Sequence, residues 1–296
     1  MATSLLIDTS SLTYRAFFAL PTSITDGQGN PVNAVRGYLD MVGHVVGQLT
    51  PDTVLHCWDD AEVPQGRLDA YPAYKIERSA PPEGIGWQFA LLRRLLPALG
   101  ETIVEAPGWE ADDAIGTLCA EAGPEDRVVV LTGDRDLIQL VRDPVVQVWF
   151  TVSGTKQLRR FDEEAVREHY GIDADRYADF ATLRGDPSDG LPGVKGIGEK
   201  TARRLVQQHP TLDAMVAAVD QHPVGLATKL REAQDYLAAM RHVVPVRADV
   251  DLRPIPPAPD PQLVTAMEAD HRLDGPIGRW REVRGGPGQR GGQAAG

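Results

Sequence analysis

The chain has 296 residues, 42% hydrophobic and 24% charged, enough for a sizeable core in one or two domains, which excludes a disulfide-stapled mini-protein and a disordered chain. No apolar run approaches the ~20 residues of a membrane helix, and Met1 to Leu6 carry no basic secretory region, so a cytoplasmic protein without membrane contact is expected. Its 42 acidic and 30 basic residues give a net charge of −12, which at first sight argues against nucleic acid as a partner, unless carboxylates gathered at a metal inflate the count while a local basic patch binds phosphate.

In chain order, Ser4 to Ile7, Thr53 to Trp58, Thr102 to Glu105, Arg127 to Leu131 and Val145 to Trp149 read as buried strands. Helices fall between them. Trp87, Leu91, Leu95 and Leu99 recur every fourth residue, and Ile115, Leu118, Cys119 and Ala122 keep helical spacing up to Gly123-Pro124. This alternation predicts an α/β fold, a mostly parallel sheet with helices on both faces. Cys57 and Cys119 lie in apolar stretches and read as buried thiols, not as a disulfide framework or zinc ligands. From about Ala181 strand signals thin out and helical segments run to Arg241. The expected organisation is therefore an α/β core over 1–180, a helical region over 181–252 and a Pro/Gly-rich tail over 253–296. That tail contains five prolines between Pro254 and Pro261, and its last dozen residues read as disordered.

Ligands of open parallel sheets bind beyond the carboxyl ends of the strands, and here the residues at those ends are acidic. Asp8 follows the first strand, Asp59 and Asp60 the second, Glu110, Asp112 and Asp113 open the helix after the third, and Asp134 and Asp136 follow the fourth. One such aspartate is usually a cap or turn residue; four strand ends in succession are not. The i, i+3 spacing puts Glu110 and Asp113 on one helical face. Gathered like charges cost stability unless cations neutralise them, and hard oxygen donors suit magnesium or manganese. Two such ions about 3.5 to 4 Å apart clamp both oxygens of a phosphodiester displacement without a protein nucleophile. No serine-histidine or cysteine-histidine constellation competes, and His44, His169 and His209 read as isolated residues.

The segment Gly185-Asp186-Pro187-Ser188-Asp189-Gly190-Leu191-Pro192-Gly193-Val194-Lys195-Gly196-Ile197-Gly198-Glu199-Lys200-Thr201-Ala202 is the most informative in the chain. Gly193, Gly196 and Gly198 allow a tight turn whose N–H groups approach a phosphate, at the positive end of the helix that follows. Lys195, Lys200, Arg203 and Arg204 add charge there, in contacts that position a duplex without reading its sequence. The string reads as a helix-hairpin-helix, with Asp186 and Asp189 joining the carboxylates from the helical side.

With these motifs the chain resembles the bacterial 5'-3' exonucleases, the flap endonuclease family that includes the N-terminal domain of DNA polymerase I, from about Leu5 to Leu252. The matching motifs are Asp8 with Tyr14-Arg15-Ala16-Phe17, the strand ending in Asp59, Tyr74-Lys75, Glu110-Ala111-Asp112-Asp113, Thr132-Gly133-Asp134-Arg135-Asp136-Leu137, and Gly185-Asp186 through Ala202. The resemblance implies a PIN-like nuclease core with metal ligands Asp8, Asp59, Glu110, Asp112, Asp113, Asp134, Asp136, Asp186 and Asp189, holding two or more Mg2+ or Mn2+. It implies DNA contacts at Gly193, Lys195, Gly196, Gly198, Lys200 and Thr201, and K+ at the hairpin. Asp60 is the alternative to Asp59; the Cys57-Trp58-Asp59 ending, which resembles the actinobacterial form, favours Asp59. The family's basic arch would span 67–86, with Arg67 and Tyr74 touching DNA and Lys75 and Arg78 as catalytic cations on one side of a helical turn. The implied activity is that of a stand-alone, monomeric nuclease of replication and repair, acting on 5' flaps, nicked or gapped duplex and RNA primers on DNA. Two other readings compete: a PIN-type ribonuclease, which needs neither the long hairpin nor the last aspartate pair, and a non-catalytic DNA-junction binder, which would not need every ligand position to be acidic.

Overall fold

The computed structural model describes residues 2–61, 63–76, 80–153 and 157–285. Seven strands form one sheet: β1 (Thr3–Asp8), β2 (Thr53–Trp58), β3 (Thr102–Glu105), β4 (Arg127–Thr132), β5 (Val146–Ser153), β6 (Gln157–Phe161) and β7 (Arg253–Ile255), in the order β6-β5-β4-β1-β2-β3-β7. The five strands from β5 to β3 run parallel and only the two edges are antiparallel. The expected mostly parallel α/β sheet is thus observed.

Alternating residues of each strand feed two cores, as the pleat requires. Leu5, Ile7, Val129 and Leu131 face one side, where they meet α1 (Thr9–Ala19), α2 (Asn33–Leu49) and, beyond the short α3 (Gln65–Ala70), α4 (Ile85–Ala98). Leu6, Val128 and Val130 face the other, packing with α5 (Ala111–Glu121), α6 (Glu163–Tyr170) and α7 (Tyr177–Arg184). This second core continues without a break into α8 (Glu199–Gln208), α9 (Leu212–Ala217), α10 (Val224–Glu232) and α11 (Gln234–Val243) through Leu205, Met215, Leu230 and Met240.

Three expectations need correction. The fifth strand runs on to Ser153 and turns back as β6, whose exposed Arg159 and Arg160 mask its strand character. β7 contains Pro254, which lacks the N–H of a ladder donor and is tolerated because the strand is an edge. Most importantly, 253–285 is not a loose tail. After β7 it forms α12 (Pro261–His271) and α13 (Asp274–Gly285), which bury Val264, Met267, Leu273, Ile277 and Trp280 against the first core. The disorder expected of the last dozen residues falls outside the described residues.

Candidate active site

Because β1 to β4 are parallel, their carboxyl ends open on one edge, and the acidic residues meet there. Asp8 ends β1 and caps α1, accepting from the Ser11 N–H at 3.0 Å and from the Thr132 hydroxyl at 2.6 Å. The same hydroxyl accepts from the Asp134 N–H at 2.8 Å, tying the ends of β1 and β4 together. Asp134 in turn accepts from the Asp136 N–H at 2.9 Å. Burial, with Asp59 and Asp134 nearby, pushes the Asp8 carboxyl up to about 7. Burial followed by neighbouring carboxylates holds Asp112 and Asp136 well above the usual range. Asp134 is also raised by burial, partly offset by the Asp136 N–H.

The structure separates Asp59 from Asp60. Asp59 lies with the cluster, accepting from the Ala111 N–H at 2.7 Å, and burial raises its carboxyl. Asp60 turns outward to the Gly108 N–H at 2.7 Å and to Arg253, and those contacts lower it. Of the two, Asp59 is the carboxylate that lies with the cluster. Asp60→Ala is expected to cost about 1 kcal/mol of stability and to change hydrolysis less than three-fold, while Asp59→Ala loses about ten-fold or more; single-turnover rates of the two variants check the assignment.

Several expected site residues have other partners. Glu110 and Asp113 do share a face, as the N-cap and third residue of α5, forming a capping box. Yet both oxygens of Asp113 are taken: Arg67 donates to Oδ1 at 2.7 Å and Oδ2 at 3.0 Å, and the Arg247 N–H donates to Oδ1 at 3.0 Å. In this structure Asp113, expected as a metal ligand, is thus held in an ion pair with Arg67. Arg67 is 3% exposed; it also pairs with Glu110 and donates to the Val243 carbonyl at 3.1 Å. Burial excludes it from DNA contact, and Tyr74, 4% exposed with its hydroxyl 3.2 Å from Glu110 Oε2, is excluded as a base-stacking platform for the same reason. Lys75 does face the carboxylates, but from a left-handed turn residue with φ 56°, not a helix. Its ammonium pairs with Glu110 and lies 3.9 Å from Asp189 Oδ1. Arg78 lies outside the described residues. Asp186 caps the short helical turn Pro187–Asp189 through the Ser188 N–H at 2.9 Å.

The hairpin is formed as expected between α7 and α8. Gly193 has φ 67°, and a Cβ there would sit 2.6 Å from backbone atoms of Arg184 and Gly185. Gly198, the N-cap of α8, has φ −93° and open space around it. Lys195, Gly196 and Lys200 are exposed and Thr201 is half-buried. Two supports were not visible in the sequence. Tyr236 accepts from the Gly193 N–H at 3.2 Å and donates to the Thr182 carbonyl at 3.1 Å, and Lys229 donates to the Gly196 carbonyl at 2.9 Å. Each comes from a helix more than 30 residues away, and no local pattern announces it.

The donor set fits a hard divalent ion. Asp136 Oδ1 is buried with no hydrogen-bond partner among the described residues, and burial raises the Asp8, Asp112 and Asp134 carboxyls, an effect that Lys75 offsets only in part at Asp112 and Asp134. Among the described residues no group of three or more His, Cys, Asp or Glu side chains is already gathered closely enough to hold a metal ion.

Comparison with known proteins gives a consistent result. Residues 3–171 match the family model "5'-3' exonuclease, N-terminal resolvase-like domain" and residues 172–258 match "5'-3' exonuclease, C-terminal SAM fold". A Streptomyces coelicolor protein named 5'-3' exonuclease is 44% identical over 265 residues, covering 84% of this chain and 87% of that one. Mycobacterium bovis DNA polymerase I is 38% identical over 91% of this chain and 29% of its own length. The T5 D15 protein, co-crystallised with metal ions, superposes with a TM-score of 0.65 at 16% identity, covering 96% of this chain and 98% of that one.

Proposed function

The chain belongs to the 5'-3' exonuclease family, and from that membership and the site geometry we propose that it is a structure-specific nuclease that hydrolyses phosphodiesters at 5' flaps, nicks and gaps, including RNA primers on DNA. The observation that carries this reading is the convergence of Asp8, Asp112, Asp134 and Asp136 at the carboxyl edge of the sheet, in surroundings that oppose their charge. We assign these four, with Asp59, Glu110, Asp186 and Asp189, to the binding of two or more divalent ions, Mg2+ or Mn2+. Bound there, the ions supply Lewis-acid activation of water and of the scissile phosphate. The chain's own contribution is to fix the carboxylates: Thr132 couples Asp8 to the Asp134 turn, and Arg67 locks Glu110 at the start of α5. Lys75 holds positive charge against Glu110 and offsets charge developing on the phosphate.

Duplex affinity comes from the hairpin. The open space at Gly198 and the exposed Lys195 and Lys200 suit a phosphate backbone approaching the N-terminus of α8. A K+ ion there would use carbonyls other than that of Gly196, which Lys229 occupies. Lys195→Ala is expected to weaken binding about equally for all sequences and to lower the salt slope by roughly one unit; equilibrium titrations between low and high salt measure it. Side-by-side cleavage of 5'-flap DNA and single-stranded RNA tests the reading against a PIN-type ribonuclease: preference for the flap supports it, and preference for the RNA refutes it.

A further inference from the structure

On a chain of net charge −12, one row of cations has few carboxylate partners. Thr132 of β4, Phe150 of β5 and Arg159 of β6 are in-register neighbours, so they line one face of the sheet from the Asp8 contact out to its edge. Arg15 lies over the Phe150 ring at 5.9 Å and donates to the Val152 carbonyl at 3.2 Å, beside the turn that bears Asp134. The exposed Arg159 sits 3.1 Å from a ring nitrogen of His169, and among the described residues neither it nor Arg135 is paired with a carboxylate. Arg203, on α8, packs its stem against Gly171 and pairs with Glu199. After burial, the charges of Arg159, Arg135 and Arg203 lower the His169 imidazole, which places all four groups in one field. Arg15 Nε and Arg203 Nε are buried with no acceptor among the described residues.

We propose that Arg15, Arg135, Arg159 and Arg203 form a phosphate track that guides the nucleic-acid backbone between the carboxylate cluster and the hairpin helix. This rests on the nuclease reading above and adds Arg15, Arg135 and Arg159, which lie outside both the hairpin and the arch, to the charge that Arg203 brings from the hairpin helix. Like charges assembled at this density repel one another, and a polyanion relieves the repulsion on binding while releasing its own counterions. The sequence concealed the track because its members come from α1, the turn after β4, β6 and α8.

The test compares Arg159→Gln and the Arg159→Gln/Arg203→Gln pair with Arg160→Gln. Arg160 carries the same charge on the same strand, but it lies over Trp149 at 4.1 Å, on the other face of the sheet. Binding of a nicked DNA duplex is titrated from low to high salt. The track requires the slope of log K against log salt to fall by about one for Arg159→Gln and about two for the pair, with unchanged slope for Arg160→Gln. Equal slopes for the Arg159 and Arg160 variants, or no change in either, overturn the track while the parent's metal-dependent cleavage leaves the nuclease reading standing. A parent that neither binds nor cuts the duplex overturns both.

Discussion

Asp134→Ala lowers the single-turnover rate of phosphodiester hydrolysis by at least about 100-fold and leaves the fold intact. A metal ligand contributes several kcal/mol of transition-state charge stabilisation, and each 1.36 kcal/mol is a factor of ten. Stability moves the other way. Burial raises the Asp134 carboxyl in the fold, and a carboxyl raised above its unfolded value weakens the fold as pH climbs from about 4 toward neutrality. Removing it relieves that cost in metal-free protein. The variant therefore unfolds at or above the parent's temperature at pH 7.5 in a chelator, yet gains less from added Mg2+, because it binds the ion less tightly. Thermal unfolding with and without Mg2+, alongside the rate, reads both effects. A variant that cuts at the parent's rate removes Asp134 from the metal site.

Arg67→Ala has the opposite profile: it loses about 3–5 kcal/mol of stability, enough to unfold much of the protein. Arg67 is 3% exposed and serves Glu110, Asp113 and the Val243 carbonyl at once. Deleting one partner of a buried pair leaves uncompensated charge, here Asp113, with Glu110 left to Lys75 alone. The loss also removes the donor to the Val243 carbonyl at the end of α11. Arg67→Lys keeps the charge but not the two-pronged grip on Asp113, so it recovers part of the stability. Urea unfolding of both variants checks this; an exposed DNA-contact residue would cost under 0.5 kcal/mol on substitution.

The carboxylate edge was legible because its signal is local. Asp8 ends its strand, Asp59 and Asp134 follow theirs within two residues, and Glu110 stands at the start of the helix after β3, so the strand and helix positions bring all four to one edge. The hairpin was legible for the same reason, Gly193 and Gly196 being required by backbone conformation. What stayed hidden lies in long-range pairing. Arg67 reads as a surface cation until Asp113, 46 positions away, is placed beside it in a buried ion pair. Tyr74 next to Lys75 reads as an exposed aromatic until the cluster closes over it. In 253–285 proline content outweighed the helical spacing of Leu273, Ile277 and Trp280, although that spacing marks the face which α13 buries.

The proposed activity is metal-dependent hydrolysis that starts from the 5' end of a branched duplex. The most direct measurement is single-turnover cleavage of a 5'-flap DNA, labelled separately at its 5' and 3' ends, in Mg2+ and in excess EDTA. Short products released from the 5' end in Mg2+ are expected, with the 3'-labelled strand shortened only from its 5' side, and no cleavage in EDTA. Cleavage that persists in EDTA, or that starts from the 3' end, would contradict it.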